Sequence, residues 1–273
     1  MYRLIALDVD GTLLRPDHTL SPRVRQALHD AQARGMIVCL ATGKIFPSIR
    51  ALVDDLGLDG PQIVCNGAAI ADAPSGAVER AWALSPDEVA LARRTLATHA
   101  PHLAIAWYTP DAILTDAAHG PAADALDAIL RAYHEPIPVR VPSLSTPNVP
   151  PPLKLLMTDE PAQLDLLRRE LEPALAGTTL RLIRTSLEFL EIMPLHVSKG
   201  AALRELLARR AIPREAVVAV GDGENDIPLL AEAGLAVAMA NAQPDVRVHA
   251  DRIAANNAED GVALLLEELL AGL

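Results

Sequence analysis

The sequence predicts an α/β protein: a doubly wound, mostly parallel sheet core with an α+β unit inserted at about residues 83–192. Three observations carry that expectation. The first and last thirds alternate short, continuously apolar runs with amphipathic segments, the pattern of strands covered on both faces by crossover helices. The middle third breaks the alternation with a proline cluster and two strand-like runs in close succession. The segments rich in glycine and acidic residues fall at the carboxyl ends of expected strands or the starts of helices, where open parallel sheets hold their ligands.

In chain order, strands are expected at Leu4–Val9, Met36–Ala41 and Gln62–Cys65. Between the first two, Val24, Ala27, Leu28 and Ala31 recur at helical spacing over Ser21–Arg34, with Ser21 as N-cap and Gly35 as the stop. A second helix is expected over Ile45–Leu56, ending at Gly57. The inserted unit begins after Trp82 with a helix over Pro86–Thr98, the strand-like LAIAWYT and a helix over Ala122–His134. Pro136, Pro138, Pro142, Pro147, Pro150, Pro151 and Pro152 follow within seventeen residues. Proline cannot donate to a sheet ladder, so this stretch reads as a surface loop or hairpin edge. KLLMT then reads as a strand, Gln163–Leu171 as a helix, and LRLIRTS with FLEIM as an antiparallel hairpin. The alternation resumes with a helix over Lys199–Arg210, a strand over Ala216–Val220 and a helix over Asn225–Ala233. Short strands at Leu235–Ala240 and Arg252–Ala254 and a closing helix over Gly261–Leu270 complete it. The expected domains are therefore a discontinuous core, 1–82 and 193–273, and the insert, 83–192.

Composition narrows the classes. A chain of 273 residues with 51% apolar and 3% aromatic content supports a sizeable core of aliphatic side chains. The net charge of −11, without a block of Lys or Arg, excludes the electrostatic footprint of a nucleic-acid binder. Cys39 and Cys65 offer neither a disulfide framework nor metal-site spacing; both lie in apolar runs and read as buried free thiols of a reducing compartment. The apolar start LIAL is stopped by Asp8, too soon for a secretory segment, and no run is long enough to cross a bilayer. A cytoplasmic protein with no membrane or nucleic-acid partner is expected.

Four segments carry the chemistry. In DVDGTLL, Asp8 and Asp10 lie two residues apart at a strand end, so both can point into one crevice while Gly11 turns the chain. One carboxylate can act as a nucleophile while the other handles protons; a turn or capping motif is the structural alternative. LATGK, Leu40–Lys44, sets a hydroxyl and backbone amides before a helix, which suits an anion, although taken alone it reads as a Thr N-cap. Lys199, opening an apolar helix, offers positive charge. GDGENDIPLL brings Asp222, Glu224 and Asp226 together with Asn225 between them, a set of hard oxygen donors fit for magnesium. Spacing rules out a calcium loop, a P-loop and a dinucleotide fingerprint: Val38 and Ile45 occupy required P-loop positions, and Asp226 stands at the third fingerprint glycine.

In that order along nearly the whole chain, DVDGTLL, ATGK, SKG and GDGENDIPLL resemble the haloacid dehalogenase superfamily of phosphatases, in particular its Cof-type members with a large inserted cap. The tail AVAMANA…ADRIAANNAEDGVALLLEEL resembles them too. The resemblance implies a Rossmann-like core and a Mg²⁺-dependent phosphomonoesterase acting on small phosphorylated metabolites. It implies Asp8 as nucleophile and metal ligand, and Asp10 as general acid/base with its backbone carbonyl on the metal. Thr42 and Gly43 would hold the phosphoryl oxygens, and Lys199 would neutralise charge on nucleophile and phosphate. Asp222 would ligate magnesium, with Asp226 as ligand or supporting group and Asn225 near the phosphate. Lys44 stands where the family more often has arginine, so it keeps the charge without the planar fork. Gly223 replaces a commoner asparagine. IVCNGAAI resembles a loop facing the substrate, which makes Asn66 and Gly67 candidate leaving-group contacts; a buried strand-end Asn is the plainer alternative. In the insert, Trp107, Tyr108, Lys154, Arg184 and Glu188 are candidates to line the cap, each read singly as a core aromatic or a solvated charge. A phosphotransferase or mutase using the same intermediate, and a catalytically idle phosphometabolite binder, remain as alternatives.

Overall fold

A computed structural model describes residues 2–117, 120–146 and 148–272. It divides the chain into two units, Met1–Gly43 with Arg50–Glu79 and Ser198–Leu273, and Lys44–Ile49 with Arg80–Val197.

The first unit is built on five parallel strands, β1 (Leu4–Leu7), β2 (Ile37–Leu40), β12 (Val217–Gly221), β13 (Leu235–Met239) and β14 (Arg252–Ala254), in the order β14-β13-β12-β1-β2. The central strands β1 and β12 are buried along their whole length, which explains their unbroken apolar sequences. Helices α1 (Pro22–Ala33) and α9 (Gly261–Ala271) lie against each other, as do α6 (Lys199–Arg210) and α7 (Ile227–Ala231). α1 begins as expected, with the Ser21 hydroxyl accepting the Val24 N–H at 3.1 Å. Its far end is closed by Gly35 at φ +81°. α2 (Phe46–Asp55) follows β2 and likewise ends at a left-handed glycine, Gly57. The short α8 (Pro244–Arg247) separates β13 from β14.

Strand order positions the site. From β1 the chain moves outward to β2, whereas β12, β13 and β14 step outward on the other side. The direction of winding therefore reverses between β1 and β12, where an open parallel sheet leaves a crevice. Leu7 pairs with Val220 there, so Asp8 and the residues after Gly221 emerge side by side.

A second sheet of this unit, β3 (Pro61–Val64), β4 (Ala69–Asp72) and β5 (Val78–Ala81), touches the main one through the parallel bridge Ala41–Ile63. Neither β4 nor β5 is anticipated by the sequence. Both are four residues of mostly Ala or charged side chains, so backbone pairing rather than side-chain pattern defines them.

The second unit holds an antiparallel sheet with one parallel edge, formed by β6 (Ile105–Tyr108), β7 (Ile113–Asp116), β8 (Val139–Val141), β9 (Lys154–Met157), β10 (Leu180–Ser186) and β11 (Phe189–Pro194) in the order β10-β11-β9-β6-β7-β8. Helices α3 (Pro86–His99) and α5 (Pro161–Leu175) contact each other, and Leu96, Leu164 and Leu171 share one apolar cluster with Trp107, Leu155, Leu190 and Ile192. α4 (Gly120–Ala132) lies near β6. The hairpin of LRLIRTS and FLEIM is present as β10 and β11. The proline-rich stretch carries a three-residue edge strand, β8, set between Pro138 and Pro142 and paired on one side only. Pro147 lies outside the described residues. β7 is not anticipated.

Two readings are corrected. Residues 225–233 are not one helix: a tight 3₁₀ turn over Glu224–Asp226 precedes the five-residue α7. Asp226 causes the break, because its side chain turns back to accept the N–H groups of Asp222 and Gly223. Lys154 is not a solvated charge. It is 1% exposed, donates to Glu191 at 2.7 Å and lies 4.2 Å from the centre of the buried Tyr108 ring. Trp107 is a core aromatic, its indole N–H on the Pro150 carbonyl. Arg184 pairs with Asp165, and Glu188 accepts the Tyr133 hydroxyl.

Candidate active site

Lys199 is the hub of the site. It opens α6, whose N-cap Ser198 accepts the Ala201 N–H at 3.0 Å, and its side chain is wholly buried. The ammonium donates to Asp8 Oδ1 at 2.5 Å and to Asp226 Oδ1 at 2.6 Å. A single cation thus bridges carboxylates at the ends of β1 and β12, each of which would be costly to bury alone.

Asp8 stands directly after β1, with its N–H on the Val220 carbonyl at 3.0 Å. Burial, then the facing Asp226 carboxylate, push its carboxyl well above the usual range against the pull of Lys199. Asp222 is pushed up to about 7, first by burial and then by Asp226, while the Thr12 hydroxyl and Lys199 oppose the shift. Burial alone would lower Lys199, but Asp226 and Asp8 outweigh it and hold the ammonium above its ordinary range.

Asp226 has most of its lone pairs engaged: Lys199 on Oδ1, and the Asp222 and Gly223 N–H groups on Oδ2 at 3.0 and 2.9 Å. That arrangement shapes the loop holding Asp222. Thr12 donates to Asp222 Oδ1 at 2.7 Å. Gly11 at φ +84° makes the close approach possible, since a Cβ there would stand 2.4 Å from Asp222 Oδ2. Thr12 is a participant that sequence reasoning missed, although it lies within the quoted DVDGTLL segment.

Carboxylate oxygens of Asp8, Asp222 and Asp226 lie within 4.8 Å of one another. Three carboxylates against one ammonium leave two negative charges when all are ionised, and hard oxygen donors with that surplus fit a divalent cation such as Mg²⁺. The Asp10 side chain is not part of this cluster; its Oδ1 lies 3.4 Å from His18 Nδ1.

The anion-side candidates converge through Asn66. Thr42, buried, donates its N–H to the Ile63 carbonyl, and its own carbonyl accepts the Asn66 N–H, both at 2.9 Å. The Asn66 amide oxygen accepts from Asn225 Nδ2 at 2.9 Å, tying the IVCNGAAI loop to GDGEND. The Asn66 side-chain amide also lies against Gly43. Cys65, Asn66 and Gly67 all take left-handed φ values, +50°, +55° and +90°, a strained run of a kind found at functional sites. A Cβ on Gly67 would fall 2.1 Å from the Ser198 carbonyl, so this glycine lets the loop seat on the start of α6. The structure thus brings together Asp8, Lys199, Asp222 and Asp226 as one cluster, and Gly43, Asn66 and Asn225 as another. Lys44 is buried and belongs to the second unit. Cys39 and Cys65 are both buried, and burial pushes the Cys39 thiol up to about 12, which disfavours the reactive thiolate.

Among the described residues, no helix is long and apolar enough to cross a membrane. The sequence model of haloacid dehalogenase-like hydrolases matches residues 5–266. A 5-amino-6-(5-phospho-D-ribitylamino)uracil phosphatase of Bacillus subtilis is 30% identical, over 96% of this chain and 93% of its own. An HMP-PP phosphatase of Serratia proteamaculans is also 30% identical, over 90% of this chain and 87% of its own. A haloacid dehalogenase-like hydrolase structure from Bacteroides thetaiotaomicron superposes with a TM-score of 0.83 at 30% identity, covering 98% of this chain and 100% of that one. A match of this extent, over a parallel sheet whose switch point gathers Asp8, Lys199 and Asp222, makes the chain a member of the haloacid dehalogenase-like hydrolase family.

Proposed function

We propose that the protein is a magnesium-dependent phosphomonoesterase that hydrolyses small phosphorylated metabolites in the cytoplasm through an aspartyl-phosphate on Asp8. The observation that carries this reading is Lys199, buried and bonded at once to Asp8 and Asp226. A buried ammonium on a strand-end carboxylate favours the ionised form of a nucleophile against its burial and the neighbouring carboxylates, where a dianionic phosphate must approach. A purely structural pair would have no need of the third carboxylate beside it.

In the proposed cycle, an Asp8 carboxylate oxygen attacks phosphorus and the ester P–O bond breaks. Asp10 gives its proton to the departing alkoxide. Water then attacks the phosphorus of the acyl phosphate while Asp10 takes a proton from it, and inorganic phosphate leaves with Asp8 restored. Lys199 offsets charge on Asp8 and the transferring group, and Thr42 and Gly43 hold phosphoryl oxygens with Asn225 and Lys44 beside them. Asp8, Asp222, Asp226 and the Asp10 carbonyl would hold Mg²⁺, which when bound supplies positive charge to the phosphoryl oxygens. Asn66 and Gly67 face the leaving group, and residues 83–192 select the substrate. The relatives named for a phosphorylated ribitylaminouracil and for HMP-PP support phosphorylated heterocycle or sugar intermediates as the class.

The test is phosphate release from a panel of sugar, nucleotide and vitamin phosphates, with Mg²⁺ and with EDTA, beside Asp8→Asn. Metal-dependent release by the wild type that Asp8→Asn abolishes is expected. Release that survives Asp8→Asn near the wild-type rate would refute the assignment of the nucleophile.

A further inference from the structure

The turn that follows the Asp8–Asp10 pair is held by residues more than two hundred positions later in the chain. Asn241, just past the end of β13, donates its Nδ2 to the Gly11 carbonyl at 2.7 Å. Asn257 donates its Nδ2 to the Leu14 carbonyl at 2.7 Å. The two asparagines are themselves joined, the Asn257 N–H on Asn241 Oδ1 at 3.1 Å. Together they grip both ends of the Gly11–Leu14 turn. Asn257 is buried, and its segment is kept compact by the Asn256 side chain capping Ala258 and by Gly261, where a Cβ would fall 2.1 Å from the Ala255 carbonyl. One residue beyond the turn, Arg15 pairs with Asp260 of the same segment at 2.8 Å.

The need for such a grip follows from the turn itself. Gly11 has no side chain to pack and sits in a left-handed conformation that leaves the chain soft on both sides of it. Upstream, Asp8 is fixed by its N–H on Val220. Within the turn, the Leu13 and Leu14 N–H groups return to the Val9 carbonyl at 3.1 and 2.9 Å. The carbonyls of Gly11 and Leu14 are where Asn241 and Asn257 attach. Asp10 lies between the fixed Asp8 and the gripped Gly11, so its placement depends on both.

We propose that Asn257, together with Asn241, is a positioning residue of the phosphatase reaction: the pair fixes the Gly11–Leu14 turn and through it the placement of Asp10 relative to Asp8. The proposal rests on the phosphatase reading above. It touches neither substrate nor metal, so its loss changes how often Asp10 stands where the proton is needed, not how well substrate binds. A misplacement of about 1 Å costs on the order of 100-fold in rate. A staple that served the fold alone would lower thermal stability and leave turnover by the folded enzyme unchanged.

The test uses the full chain with Asn257→Ala and, because Asn241 is exposed and its loss is the milder one for folding, Asn241→Ala, with their double variant. Amide hydrogen exchange over residues 9–15 is expected to quicken in both single variants while the strands of the main sheet keep their protection. With saturating Mg²⁺ and the best phosphate ester of the panel, kcat is expected to fall roughly 10- to 100-fold, with KM for the ester within about twofold of wild type. The double variant should lose no more than the worse single one, since the two act as one clasp. Unchanged exchange over 9–15, kcat within about twofold of wild type, or a KM rising in step with the loss would each overturn the proposal. Should the wild type release phosphate from no ester, the phosphatase reading falls, and the exchange experiment by itself decides whether Asn257 and Asn241 hold the turn.

Discussion

Replacing Lys199 by Met tests the electrostatic design of the site directly. Methionine keeps most of the volume and reach of the side chain and deletes only the ammonium. In the wild type that ammonium lies 2.5 Å from Asp8 and 2.6 Å from Asp226, and Lys199 is 0% exposed. Its removal leaves Asp8, Asp222 and Asp226 clustered without a cation. Breaking a buried pair by deleting one partner costs about 3–5 kcal/mol, because the remaining charge cannot recover its hydration.

The cost must depend on pH, and the sign follows from the wild-type shifts. Asp8 lies well above its ordinary value and Asp222 near 7, both driven first by burial. A carboxyl raised in the folded state contributes stability below its unfolded pKa and loses it as pH rises through the folded one. Without Lys199 those shifts grow, so the variant escapes much of the penalty at pH 5 by holding protons and meets all of it at pH 8. Thermal unfolding in EDTA should place Lys199→Met on the order of 10 °C below wild type at pH 8 and much closer at pH 5. Mg²⁺ should recover part of the difference at pH 8. Equal losses at the two pH values, or a variant as stable as wild type at pH 8, would refute the idea that this ammonium makes the carboxylate cluster tolerable.

Three further outcomes are expected. In the metal-free wild type, the contribution of Asp222 to stability is present near pH 4 and declines as pH rises through about 7, and that of Asp8, also raised by burial, declines in the same direction. The rise in melting temperature on adding Mg²⁺ should therefore grow from about pH 5.5 to 8; a constant rise would separate these carboxyls from the metal. Gly67→Ala combines a φ of +90° with a Cβ 2.1 Å from the Ser198 carbonyl, and should cost about 3 kcal/mol or more while displacing Lys199; a variant with wild-type melting and turnover would contradict the contact. Asp10→Asn should lower turnover by about 10²–10⁴ and let the phosphorylated enzyme accumulate on Asp8, seen by intact-mass measurement; unchanged kinetics would remove Asp10 from proton transfer.

The parts of the fold legible in the sequence are those whose side chains report their surroundings. β1 and β12 are buried on both faces and read as unbroken apolar runs; α1 carries its own cap at Ser21 and stop at Gly35. β4 and β5, four residues each and mostly Ala or charged, are set by backbone pairing with neighbours already in place, and β7, with Ile113, Leu114, Thr115 and Asp116, is too short for its alternation to stand out. The break in the helix expected over residues 225–233 is a tertiary effect in local disguise. GDGEND looks like the start of a helix until one knows that Asp226 must turn back onto Asp222 and Gly223 while also receiving Lys199.

The site divides along the same line. Asp8, Lys199 and Asp222 belong to short motifs whose chemistry is written in residue type, and each emerges where the sheet reverses its winding. Lys154 shows the opposite case: a lysine between prolines and an apolar run offers no hint that it is sealed against Glu191 and the Tyr108 ring, since both partners are distant in sequence. Asn241 and Asn257 are similar. Nothing in their neighbours distinguishes them from loop asparagines, because their meaning lies in carbonyls at Gly11 and Leu14. Charged groups that react must be matched by an opposite charge or a metal, and that need limits the residue types that can serve, so a sequence betrays them. Groups that hold a backbone in place need only one donor at one point in space, a demand that many residue types satisfy and only the fold can locate.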